Sequence, residues 1–363
     1  MSLKPYYIYI KGVLLTLFSA FALVSCDIHE WPEELPPEIV PLTIHLEFET
    51  EMPIYEEVSM SSSTRGDANS IEHDKRYILG VFPHDNQGTL IRIPDTMIVF
   101  TRDVKKEKYD HAIDLYIPEG NYTFLVWTDF VHAKTIEDCY YKTDDFAEII
   151  LADRQNHIGN TDYRDAFRGE QSALILADNP YYEVVSRKAV TEVTVPMERP
   201  LAKYKIIASD LEEFTRYAKR LIAQKAADKE NGTRGETRAF DLNDYRVVFK
   251  YNGFMPCSFN MFTNKPADAW TGVSFESTLL ELSENEAELG FDYVFVNGNE
   301  SSVSVTIEVY DWEDELISRS NPIDIPIIRS KLTVVRGDFL TTKAAGGVGI
   351  IPEFDGDYNY VVP

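Results

Sequence analysis

The 363-residue chain sets 35 Lys and Arg against 60 Asp and Glu, a formal net charge of −25, and contains 45 aromatic residues but only three cysteines. That length suits about two domains with real cores, and the charge disfavours a nucleic-acid partner or a purely electrostatic membrane role. A hydrophobic content of 44% excludes a disordered acidic chain, and three cysteines exclude a disulfide scaffold or a four-cysteine metal site.

Two lysines, Lys4 and Lys11, precede the largely apolar run Gly12 to Val24, which is followed by Ser25-Cys26-Asp27. A basic start, an apolar stretch of 13 residues and a small residue at the cut describe a secretory signal, because a spanning helix needs about 20 apolar residues. Leu23-Val24-Ser25-Cys26 resembles the bacterial lipobox, which implies lipidation of Cys26 and removal of residues 1–25. The alternative is an ordinary signal peptide with Cys26 merely nearby. Cleavage before Cys26 removes two lysines and no acid, so the mature net charge moves to −27. Acyl chains tie a protein to a membrane surface without spanning it. Residues 26–40 carry five acids and three prolines as far as Glu38 and read as an extended tether.

Beyond the tether, Leu42, Ile44, Leu46 and Phe48 alternate with polar residues, the signature of a strand with one buried face. Further strands are predicted over 76–82, 96–101, 113–117, 122–127 and 189–195. In the second half they are predicted over 202–208, 245–251, 289–296, 302–310 and 330–335. One amphipathic helix follows Ser209-Asp-Leu-Glu212, which reads as a capping box. Leu211, Phe214, Ala218, Leu221 and Ile222 supply its apolar face, and it stops near Asn231-Gly232. Arg216, Lys219 and Arg220 make a locally basic face, best read as solvated. Small polar loops are expected over 59–70 and 231–236. Short strands without strong intervening helices predict a mainly all-β protein: two antiparallel β-sandwich domains, 41–190 and 191–363, with one inserted helix.

Chemistry is sparse. Seven scattered histidines fall in no zinc-binding motif, and no nucleophile elbow, phosphate loop or dinucleotide fingerprint is present, so neither a metal site nor a cofactor is legible. Asp355-Gly-Asp357 reads as a tight turn rather than a calcium loop. Cys139 and Cys257 lie in different predicted domains and are expected as buried free thiols. Arg65-Gly66-Asp67 is assigned no adhesive meaning.

Several segments together resemble the FimB-like family of anchor and accessory lipoproteins of Bacteroidetes type V pili. They are the lipobox at Cys26, Ile117 to Trp127, Asp162 to Gly169, Val193 to Ile207, Gly253 to Asn260 and Leu332 to Leu340. The resemblance implies two tandem transthyretin-like sandwiches and a non-enzymatic fimbrial subunit, held on the outer membrane by its N-terminal lipid. Acidic residues after Cys26 also resemble surface-export signals of such lipoproteins. The implied partners are pilus subunits joined by strand addition, in which backbone hydrogen bonds supply affinity and alternating side chains supply register. Two segments are candidates for exchange: the first strand, with Leu42, Ile44, Leu46 and Phe48, and the C-terminus, with Tyr358, Tyr360 and Val362. In stalk pilins of the family the first strand is removed by cleavage after a basic residue, which makes Arg65 the candidate protease site. Both segments can equally complete their own sandwiches. A second functional class, surface glycan binding, would use Trp31, Trp127, Trp270 and Trp312, although Trp127 ends a predicted strand and Trp31 lies in the tether.

Overall fold

In the computed structural model, which describes residues 38–48, 71–104, 112–177, 192–230, 238–341, 348–352 and 360–361, the alternating segments become strands. The first group is β1 (Ile39–Phe48), β2 (His73–Pro83), β3 (Thr96–Asp103), β4 (Ala112–Pro118), β5 (Gly120–His132), β6 (Phe167–Ile175) and β7 (Glu192–Glu198). They form one seven-stranded sheet in the order β3-β2-β5-β6-β7-β1-β4. β2 pairs antiparallel with β3 and β5, whereas β1 pairs parallel with β7. One face of the sheet gathers Val40, Leu42, Ile44 and Leu46 with Leu79, Phe124, Val126 and Leu115. On the other face Ile78, Phe82, Leu125 and Trp127 enter a second, larger core. The central strands are thus buried on both faces and the outer ones on one. Gly169 in β6 permits this packing: a Cβ there would lie 2.4 Å from Met197 Sδ and 2.6 Å from Val195 Cγ1, so a larger residue would push β7 away.

The second group is β8 (Leu201–Ala208), β9 (Arg246–Tyr251), β10 (Ser274–Thr278), β11 (Ala287–Phe295), β12 (Glu300–Tyr310), β13 (Leu316–Arg319), β14 (Ile323–Ile328), β15 (Leu332–Gly337), β16 (Val348–Pro352) and β17 (Tyr360–Val361). One sheet runs β11-β8-β15-β16-β17, with Leu280–Glu281 at its outer edge beside β11. The other runs β10-β9-β12-β13, and β14 also pairs with β12. Antiparallel pairing dominates, β8 on β15 being parallel. The chain is all-β with a single long helix among the described residues, α1 (Leu211–Glu230).

Leu211, Phe214, Ala218 and Ile222 are the buried face of α1, and Arg216, Lys219 and Arg220 are exposed. The expected capping box is not formed. Ser209 Oγ donates to Asp338 Oδ1 at 2.9 Å, and the Asp210 carboxylate accepts the Leu340 and Thr341 amides, so both side chains serve the segment after β15. The Leu211 amide is satisfied instead by the Asn285 carbonyl.

From Val40 onward the chain is one compact unit. Residues on both sides of position 190 share the larger core, where Trp127, Tyr141 and Phe146 meet Tyr204, Phe259 and Phe295. A small sheet also crosses that position, pairing Ile149–Leu151 with Ser258–Asn260. Cys257 is buried and Cys139 is only partly so; both are free thiols.

Candidate functional site

The first candidate segment for exchange, β1, sits in a slot. β7 flanks it on one side, with Ile44 opposite Val193 and Leu46 opposite Val195, and β4 flanks it on the other. Thr43 Oγ1 donates to Asp114 Oδ1 of β4 at 2.7 Å. Val40, Leu42, Ile44 and Leu46 point inward and are buried, while His45 and Glu47 point to solvent. Each buried aliphatic side chain contributes about 2 kcal/mol, so the segment is held by its apolar face as well as by its backbone. At the end of β1 the Phe48 ring meets Phe167 edge-on at 4.9 Å. Both rings face the fully buried Lys75, whose Nζ lies 4.3 Å from the Phe48 centroid and 4.9 Å from that of Phe167. Cation–π contact of this kind compensates part of the cost of burying an ammonium.

The second segment lies elsewhere. β17 pairs with β16, which extends the sheet from β15, so Tyr360 stands on the last strand at that edge. Tyr358, Val362, Cys26, Arg65, Trp31 and the Asp355-Gly-Asp357 turn fall outside the described residues. The structure therefore does not bring the two exchange segments together: β1 is internal to the first sheet and Tyr360 is at the edge of another.

Of the tryptophans offered for glycan binding, Trp127 is fully buried. Trp270 and Trp312 are partly buried and pack against the core, with Trp312 edge-on to Tyr245 and beneath Lys225 and Arg238. Among the described residues no helix is long and apolar enough to cross a membrane.

Three of the convergences of polar side chains among the described residues bear on chemistry. The first is a buried network centred on Asp292 of β11. Arg164 donates to its carboxylate, Tyr251 Oη donates at 2.7 Å, and His157 Nε2 lies 2.8 Å away. Tyr204 passes its hydroxyl hydrogen to Tyr251 at 3.0 Å. Burial alone would raise the Asp292 pKa; the Arg164 guanidinium and then His157 outweigh it and hold the carboxyl below the ordinary aspartate range. These groups are buried and pair with one another. In the second place Asp311, Glu313 and Glu315 converge, but Lys225 Nζ occupies the centre at 2.7, 2.7 and 2.9 Å. The third is His73, His132 and Cys139, residues too far apart in sequence to form a motif, whose ligand atoms lie within 4.8 Å of one another.

Sequence reading named the inward residues of β1 but not the walls of its slot, Val193, Val195 and Met197 on one side and Ile113, Leu115 and Ile117 on the other. Both wall strands show the same alternation, so the signal for burial was present and the pairing was not. No curated protein sequence matches the chain. Among solved structures, a candidate polysaccharide-binding protein (DUF1812) from Bacteroides thetaiotaomicron is similar at 11% identity and a TM-score of 0.45, over 86% of this chain and 96% of that one. A candidate adhesin from Bacteroides ovatus is similar at 10% identity and 0.41, over 90% and 96%. The fimbrial anchor protein Mfa2 from Porphyromonas gingivalis is similar at 11% identity and 0.37, over 88% and 100%. The family model of DUF6562, a family of unknown function, matches residues 37–363, and the chain belongs to that family.

Proposed function

We propose that this protein is a non-enzymatic cell-surface lipoprotein, an anchor or accessory subunit of a fimbrium of the FimB-like kind, tied to the outer membrane through Cys26 and joined to a pilus subunit by strand addition. The observation that carries the reading is the seat of β1. A strand bound through one apolar face and two backbone ladders can be replaced by an extended segment of another chain with the same alternation, because backbone pairing is sequence-tolerant and the pockets demand only apolar residues at every second position. The 24 residues between Phe48 and His73, with Arg65 among them, supply the covalent slack or the cleavage site that release requires. The lipobox supports the membrane link, and the absence of a legible catalytic motif supports a non-enzymatic role.

The test uses the outward pair His45 and Thr194, which face each other across β1 and β7. In a His45→Cys/Thr194→Cys protein the oxidised pair staples β1 in place without touching the core. Oxidised protein is expected to stay on the membrane and fail to co-assemble with a pilus subunit, and reduction is expected to restore assembly. Cys26→Ala should release the protein and its pilin from the cell. Normal assembly by the stapled protein would refute strand addition at this slot.

A further inference from the structure

Antiparallel pairing of β2 with β5 sets His73 directly across from His132 at the end of the ladder. The loop leaving β5 is drawn back over this end by Arg76, which donates to the Ile136 carbonyl at 3.0 Å and to Asp138 at 2.6 Å while its other nitrogens hold the buried Asp129. That fold of the loop delivers Cys139. The His73 ring is fixed by stacking on Tyr163, centroids 3.8 Å apart, and on Tyr140 at 5.7 Å. Its Nε2 lies 3.0 Å from Tyr140 Oη. In the tautomer whose Nε2–H donates to that oxygen, Nδ1 keeps its lone pair, and Nδ1 is buried with no hydrogen-bond partner. A buried polar atom left unpaired is unfavourable, and this one is open to a partner from outside the chain. His132 is exposed and gives the group access to solvent.

We propose that His73, His132 and Cys139 form a binding site for a transition-metal ion of the zinc and copper class, with one coordination position left to solvent. Two imidazole nitrogens and one sulfur are a borderline-soft donor set, which suits zinc or copper and not calcium or magnesium. Tetrahedral bonds of about 2.0–2.3 Å place ligand atoms roughly 3.5 Å apart, so closure from the observed spacing needs a movement of roughly 1 Å, which exposed His132 can supply. Binding breaks the Cys139 S–H bond as the sulfur–metal bond forms, and the proton leaves to solvent without any change of oxidation state. The ion would clasp the loop after β5 to the end of the sheet.

Cobalt(II) titration of the reduced, purified full chain tests the site, followed by displacement with zinc(II). One equivalent is expected to bind with a thiolate-to-cobalt charge-transfer band, to release one proton near pH 7, and to be displaced by zinc. Cys139→Ser should abolish the band even though Cys257 remains. His132→Asn, at an exposed position that does not threaten folding, should weaken binding at least about tenfold, since loss of mere outer-shell partners costs that much. A wild-type protein without the band, a band that survives Cys139→Ser, or an unchanged affinity in His132→Asn would each overturn the proposal.

Discussion

β1 and β8 hold matching positions. Each opens its group of strands and lies parallel to a late strand of the same group, β7 for one and β15 for the other. Their surroundings differ. β8 is flanked over its whole length by β11, buries Leu201, Tyr204 and Ile206 together with Ala202 and Ile207, and follows β7 after only Arg199 and Pro200. β1 buries alternate residues only, and 24 residues separate it from the next strand. A strand packed on both faces and tied closely at its start cannot leave without opening the core, whereas one packed on a single face can, at the cost of one row of side chains. The same pairing rule thus yields a strand packed on both faces in one place and a strand held by a single face in the other.

The most severe way to break this contrast is to attack the network behind β8. Arg164→Ala removes the guanidinium from Asp292, whose carboxylate is fully buried, and is expected to cost about 3–5 kcal/mol of unfolding free energy in a urea titration. A loss below about 1 kcal/mol would show that the network is dispensable. The wild type should show the same dependence in acid. Because the folded Asp292 pKa lies below its unfolded value, its stabilisation is complete above the ordinary aspartate range and is lost as pH falls through and below that range. Glu308 of β12 acts in the same direction, its burial being outweighed by hydrogen bonds from Lys250, Tyr310 and Arg319.

A paired substitution sharpens the comparison further. Ile206→Ala in β8 and Ile44→Ala in β1 each empty a fully buried position. We expect losses of about 3 kcal/mol for the first and about 2 kcal/mol for the second, since solvent can relax around the one-sided strand. Hydrogen exchange distinguishes them: Ile44→Ala should speed exchange across residues 39–48 and leave the β8 amides protected. Equal acceleration in both strands would mean that β1 opens only with the whole protein. The smallest effect belongs to Phe48→Ala, which removes the edge contact with Phe167 and one aromatic wall around Lys75. It should cost about 1 kcal/mol, read as a lower denaturant midpoint at constant slope.

Much of this fold was legible residue by residue. The alternation from Leu42 to Phe48 predicted both the strand and its buried face, and the strands expected over 76–82, 96–101, 113–117, 122–127, 202–208 and 302–310 are all present. β6 escaped notice because Arg168, Glu170, Gln171 and Ser172 break its apolar pattern. Arg168 is buried all the same, its guanidinium donating to the Met261 carbonyl at 2.7 Å, a partner 93 residues away that no local window contains. β14 escaped because Pro326 interrupts it; among the described residues it pairs with β12 alone, where one missing amide is tolerated. The helix starts at Leu211 as expected, but its capping differs for a related reason, since the Asp210 and Ser209 side chains are committed to the segment after β15.

The sequence by itself determined the all-β class and the buried face of most long strands. These are properties of a contiguous stretch, set by side-chain alternation and by the composition of a short segment. Only the tertiary structure decided that β1 lies between β7 and β4, that Asp292 is reached by Arg164 and His157, and that His73, His132 and Cys139 meet. A period of two says which residues face inward but not which strand lies beside them. Partners such as Ile44 and Val193 are chosen by the packing of the whole sheet, across a separation that no local pattern spans.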